Sequence, residues 1–161
     1  MKLLGFLAPE AVIDDLQARD KSGAIKEMVA MLKKTGLLKT KQVPAVVKAL
    51  LAREKLGSTG IGKGVAVPHA RCKGVKSVLG LLARSTQGVQ FDALDGEPVY
   101  VFFLLLSAPD ASGEHLACLE RVSLLLRDTN FCRFLKEAED KKEVVELLKE
   151  AEENLKAAEK F

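Results

Sequence analysis

The chain has 161 residues, 48% of them hydrophobic and 29% charged, with a formal charge of +3. That length suits one domain with one sizeable core and is short for two, so residues 1–161 are expected to form a single domain. Charge spread without a basic block, and aromatic residues at only 5%, exclude the phosphate-tracking and base-stacking surfaces of nucleic-acid-binding proteins.

Met1 and Lys2 are followed by Leu3, Leu4, Phe6 and Leu7, but Pro9, Glu10 and two aspartates intervene too early for the core of a signal peptide. A cytoplasmic location is therefore expected. Residues 12–18 read two ways: the segment is short enough for a strand, while Val12, Ile13 and Leu16 also fit a helical turn. Ile25, Met28, Val29 and Leu32 recur at i, i+3, i+4 and i+7, the spacing of one helix face, and Gly36 is placed to end that helix. A second helix is predicted from near Thr40 to near Glu54, with Pro44 tolerated in its first turn and Val43, Val46, Val47, Leu50 and Leu51 turned inward.

Beyond residue 57 the texture changes. Residues 65–67, 78–83 and 99–106 are β-rich or continuously apolar, and a short further strand is predicted at 89–91 before a turn at Asp95 and Gly96. The run 99–106 falls far short of the roughly 18 to 20 residues that cross a bilayer, so it reads as a buried strand and no membrane insertion is expected. From Ser112 the period returns to 3.6, with Leu116, Leu119, Val122, Leu125 and Leu126 assigned to the inner face. Asp128 or Thr129 offers an N-cap for a short helix carrying Phe131, Phe134 and Leu135. Asp140 and Glu143 resemble a capping box for a last helix that packs through Val144, Val145, Leu147, Leu148 and Leu155, its final five to ten residues frayed. The succession describes an α/β fold with helices before and after a central sheet.

The most unusual stretch is residues 57–69, where Gly57, Gly60, Gly62 and Gly64 allow positive φ and let successive N–H groups point at one anion. Residues 57–63 spell G-x-x-x-x-G-K, yet Gly64 stands where a P-loop needs Ser or Thr, and β-rich residues follow where a helix should open. A dinucleotide fingerprint fails on its third glycine. A tight turn with His69 hydrogen-bonded at a strand end is the plain structural reading. Cys72, Cys118 and Cys132 are odd in number and lack C-x-x-C spacing, and Cys72 with His69 makes only two ligands, so no metal and no cofactor is expected.

Residues 51–70, L-A-R-E-K-L-G-S-T-G-I-G-K-G-V-A-V-P-H-A, resemble the active-site segment of the fructose/mannitol-type enzyme IIA family of the bacterial phosphotransferase system. The similarity continues through L-A-P-E at 7–10, F-D-A-L-D-G at 91–96 and E-H-L at 114–116, and within the family it looks most like the stand-alone nitrogen-regulatory branch. The resemblance implies a three-layer α/β domain, a mixed sheet of about four to five strands flanked by helices, with C-terminal helices. It also implies that His69 accepts phosphoryl from an HPr/NPr-like phosphocarrier, with Arg53 and His115 lining the site, and passes it to a IIB domain or uses it to control a regulated target. A sugar-uptake component donating to a separate IIB domain is the alternative within the family. An interaction module that never turns over phosphoryl is the alternative of another class.

The chemistry suits these residue types. Imidazole is a neutral nucleophile near physiological pH, and its phosphorylated form remains a good donor. Phosphoryl transfer has a loose transition state, so the protein supplies alignment and oriented donors. Pro68 fixes its own φ and pushes Val67 toward extended geometry, presenting the ring of His69. Arg53 offers forked donors, and His115 lies one turn inside a helix whose N-terminus favours an anion. Hydroxyls of Ser58 and Thr59 and N–H groups at Gly60 and Gly62 are the expected phosphate-binding set, with Ile61, Val65 and Val67 as a small docking patch.

Overall fold

Eight consecutive apolar residues escape water only as a strand covered on both faces. A computed structural model of the protein describes residues 2–159 and places this run in β5, Val99–Ser107, the middle of a five-stranded mixed sheet. β4, Val78–Val89, pairs antiparallel with one edge of β5. The other edge is taken in succession by two short parallel strands: β2, Val65–Ala66, opposite Val101 and Phe102, then β3, His69–Arg71, opposite Leu105, Leu106 and Ser107. β1, Gly60–Gly62, pairs antiparallel with β2.

Side chains of β5 alternate between two cores because successive residues of a strand point to opposite faces. Phe102, Leu104 and Leu106 pack toward α2, Lys21–Lys34, and α3, Val43–Lys55; Val101, Phe103 and Leu105 pack toward the opposite layer. That layer holds α1, Leu3–Phe6, α4, Ser112–Arg127, α5, Thr129–Glu137, and α6, Lys141–Glu159. The α/β fold with a sheet between helical layers is as expected. Local signals also hold: Gly36 closes α2 at φ 80°, Asp128 caps α5 by accepting from the N–H groups of Asn130 and Phe131, and Asp140 accepts from Glu143 N.

Several expectations change. Residues 12–18 are neither a helix nor a full strand: Leu7, Ile13 and Asp20 bridge in parallel to Gly80, Ala83 and Gln90, so the N-terminal segment covers the outer edge of β4. An open edge would invite pairing with another chain. The strand predicted at 89–91 does not form separately, because β4 runs on to Val89, and the strand predicted at 65–67 stops at Ala66, next to the break at Pro68. β1, β3 and α1 were not anticipated. On α4 the buried face is His115, Cys118, Val122 and Leu125, with Leu116 58% exposed, since turning His115 inward rotates the face by one residue. Phe134 of α5 is likewise exposed. α6 is helical through Glu159, and residues 160–161 of the segment expected to fray lie outside the described residues.

A buried arginine ties the layers together. Arg84 on β4 donates through Nε to the Asp14 carbonyl and through Nη1 to the carbonyls of Leu135 and Ala138, the last turn of α5. A cation there satisfies carbonyls that have no partner within the helix.

Candidate functional site

Pro68 has no N–H to give a β ladder, and the row of strands along β5 breaks at this point between β2 and β3. Its carbonyl still accepts from Leu105 N at 2.9 Å. At the same break the Val67 carbonyl lies 2.8 Å from His69 Nδ1. A carbonyl only accepts, so Nδ1 carries the proton and the neutral ring keeps its lone pair on Nε2. The half-buried His69 thus offers one unprotonated nitrogen.

His115 enters from the first turn of α4, its ring centroid 5.5 Å from that of His69 and tilted by 52°. Its Nδ1 lies 2.6 Å from Ser107 Oγ, at the end of β5, and both residues are buried. That contact is the hydroxyl's only hydrogen bond among the described residues, so its hydrogen is satisfied only by donation to Nδ1. His115 therefore carries its own proton on Nε2. Burial holds this imidazole below the usual histidine range, with the nearby charges of His69 and Arg71 acting in the same direction.

The glycine loop is a hairpin and not a phosphate cradle opening a helix, which excludes the P-loop reading. Lys63 and Gly64, at φ 57° and 78°, form the two-residue turn between β1 and β2, the positive-φ pair that matches the twist of a hairpin. The buried carboxylate of Glu54, at the end of α3, accepts from Thr59 N and Thr59 Oγ1 and pairs with Lys21 Nζ at 3.1 Å. Ser58 Oγ donates to the Phe91 carbonyl and accepts from Gly60 N. A Cβ on Gly60 would stand 2.8 Å from that of Ala93, so this glycine serves close packing. The Gly60 N–H donates to Ser58 Oγ, and Gly60 is not among the residues that line the cleft beside His69.

That cleft, about 1050 Å³, is walled by the hairpin on one side and by the end of α4 and α5 on the other. It brings together His69, Arg53, Ser58, Thr59 and Gly62; His115 lies buried behind His69 and does not line it. Arg53 is fixed by donating through Nη1 to the Gly57 carbonyl at 3.0 Å. The Thr59 hydroxyl donates to the buried carboxylate of Glu54. Of the docking patch, Ile61 is 55% exposed, Val67 is half-buried and Val65 belongs to the core, although all three border the cleft. Sequence reasoning missed Ser107, whose signal was a polar residue closing the apolar run 99–106. It also missed a basic wall of Lys63, Arg127, Arg133 and Lys136. All three cysteines are free, with Cys118 pushed up to about 11 by burial and then by Glu114. No group of His, Cys, Asp and Glu among the described residues is arranged to hold a metal, and no helix among them is long and apolar enough to cross a membrane.

A mixed sheet between helical layers is the fold of the solved IIA-type phosphotransfer components. The chain belongs to the EIIA 2 family of the phosphoenolpyruvate-dependent sugar phosphotransferase system, whose model matches residues 5–151. It is 36% identical over 148 residues to the nitrogen regulatory protein of Bradyrhizobium diazoefficiens, covering 92% of this chain and 95% of that one. It is 34% identical to a part of the fructose-specific EIIABC component of Bacillus subtilis, covering 92% of this chain and 23% of that protein. The crystal structure of the nitrogen regulatory protein IIA-Ntr from Neisseria meningitidis superimposes with a TM-score of 0.79 at 35% identity, covering 89% of this chain and 97% of that one.

Proposed function

We propose that the chain is a single-domain, cytoplasmic phosphoryl carrier in which Nε2 of His69 attacks the phosphorus of a histidine-phosphorylated, HPr/NPr-like protein. The bond from phosphorus to the donor's imidazole nitrogen breaks as the bond to Nε2 forms, and the donor leaves with its ring nitrogen free. Arg53 and the Nε2–H of His115 donate to the phosphoryl oxygens, where negative charge accumulates, and Ser58 and Gly62 border the same space. A neutral His115 suits this role, since it donates one hydrogen bond without competing for the phosphoryl group as a second charged centre. The observation that carries the reading is the bond from His69 Nδ1 to the Val67 carbonyl, which leaves only Nε2 to react.

Incubation with phosphoenolpyruvate, enzyme I and the carrier protein tests it. Intact mass should show one acid-labile phosphoryl group, lost in His69→Ala and slowed in Arg53→Ala; labelling that persists without His69 overturns the reading. The likeness over nearly full length to nitrogen regulatory proteins favours a regulatory role, in which phosphorylation state selects the partner. The comparable identity to a fructose-specific component keeps sugar uptake as the second reading, and rapid discharge onto a purified IIB domain would select it.

A further inference from the structure

Charge is unevenly divided between the two helical layers. Residues 21–76, which supply α2, α3 and the turns around β3, hold thirteen of the 25 basic residues and only two of the 22 acidic ones, Glu27 and Glu54. Both carboxylates are engaged: Glu27 accepts from the N–H groups of Gln17 and Ala18, and Glu54 is buried against Lys21 and Thr59. The lysines are scattered along the chain, and the helices gather them. α2 buries Ala24, Ile25, Met28, Val29 and Leu32, and α3 buries Val46, Leu50 and Glu54, so the opposite sides of the two packed helices form one outer face. Lys26 and Lys33 on α2, and Lys48 and Lys55 on α3, are seven residues apart, close to two turns, which sets the members of each pair about 10 Å apart along one exposed side. Lys41 extends the α3 row just before that helix begins. Gln42 Nε2 donates to the Gly74 carbonyl at 3.1 Å, which holds the turn carrying Lys73 and Lys76 against the start of α3. All seven lysines are exposed, and none has a carboxylate within ion-pair distance among the described residues. None of them lines the cleft beside His69.

The composition of this face selects among anionic partners. A protein interface is built round an apolar centre that excludes water, whereas the exposed residues between these lysines include only small ones such as Ala30, Ala45 and Ala52 on the two helices. Single-stranded nucleic acid stacks on aromatic rings, and residues 21–76 contain no Phe, Tyr or Trp. Duplex DNA is read by an element set into a groove with forked side chains, and this face is two helices side by side that carry lysines. Lysine is a compact, hydrated point charge that imposes no geometry on its partner. Such an array suits a negative plane without a fixed pattern, and the surface of an anionic leaflet attracts lysines without any insertion. We propose that the outer face of α2 and α3 docks the protein peripherally on a membrane leaflet rich in anionic lipid, held by charge alone. The helices of the opposite layer, residues 112–159, carry twelve acidic against eight basic residues, so the same field turns them away from the bilayer and orients the molecule. The proposal does not depend on His69.

The test is co-sedimentation of the full chain with vesicles of phosphatidylcholine alone and of phosphatidylcholine mixed with phosphatidylglycerol, the bound fraction being followed against lipid concentration. Binding should appear only with phosphatidylglycerol, and should weaken by about tenfold or more as salt rises from roughly 50 to 300 mM. Lys41→Gln/Lys48→Gln/Lys55→Gln should weaken it by about tenfold or more, and Lys26→Gln/Lys33→Gln by about fivefold or more, since each lysine near the surface adds its own attraction. Lys142→Gln/Lys149→Gln removes as much charge as the α2 pair, but from exposed positions on α6, and should leave binding within about twofold. Circular dichroism verifies that each variant is folded. No binding to phosphatidylglycerol vesicles at low salt, equal binding to phosphatidylcholine alone, or equal losses for the α2 and α6 pairs would each overturn the proposal. A duplex oligonucleotide that binds through these lysines where the vesicles do not would assign the face to nucleic acid. Self-association abolished by the same substitutions, again without vesicle binding, would assign it to the acidic layer of a second copy. Either result sinks the membrane reading.

Discussion

Two hydrogen bonds decide where protons sit on the paired imidazoles: the Val67 carbonyl takes the one on His69 Nδ1, and the Ser107 hydroxyl places the one on His115 at Nε2. Ser107→Ala removes the second and leaves a buried ring nitrogen without a partner, at a cost of about 1–3 kcal/mol. The variant should stay folded, its His115 ring should change tautomer by nitrogen NMR, and phosphoryl acceptance should slow by about tenfold, the scale of a misplaced donor; an unchanged tautomer would remove Ser107 from this role. Burial of His115 also makes a pH prediction. Its folded-state pKa lies below the unfolded value of 6.5, so below that value the unfolded chain binds more protons than the fold. This contribution to stability is present above pH 6.5 and is lost as pH falls through the folded pKa. The melting temperature should drop on acidification below about pH 6.5, and His115→Gln should show a shallower drop.

At the scale of elements, α5 carries part of the basic wall but is only nine residues long, too short to be stable by itself. Asp128 holds its start and Arg84 its end. Arg84→Ala would leave the buried carbonyls of Leu135 and Ala138 without their donor, and chemical denaturation should show a loss of about 3 kcal/mol. Asp128→Ala should cost about 1 kcal/mol by the same measurement, as removal of an N-cap does. A loss for Arg84→Ala equal to or smaller than that for Asp128→Ala would mean that water replaces the guanidinium there.

For the whole molecule the consequence of a basic cleft is a switch in charge. A phosphoryl group on His69 brings about two negative charges into it. A partner with an acidic face should then bind the phosphorylated form several-fold more weakly, with the difference shrinking as salt rises. Titration calorimetry on the two forms checks this; equal affinities would separate partner choice from the charge of the cleft.

Much of this was open to reading in the chain by itself. The 3.6 period of Ile25, Met28, Val29 and Leu32, the apolar run 99–106 and the placement of Gly36 and Asp128 are local physics, because helix faces, buried strands and caps depend on residues a few positions apart. The loop segment from Arg53 to His69 likewise announced itself as a block of consecutive residues, and it carried the family resemblance. What the tertiary structure alone decided involves partners distant in sequence: the N-terminal segment lying along β4, which left 12–18 ambiguous; the inward turn of His115 toward Ser107, which rotated the face of α4; the spending of Thr59 on Glu54 and of Gly60 on packing against Ala93. The basic wall belongs to the same group. Lys63, Arg127, Arg133 and Lys136 average into a modest net charge along the chain, and only the packing of α4 and α5 against the hairpin gathers them round one histidine.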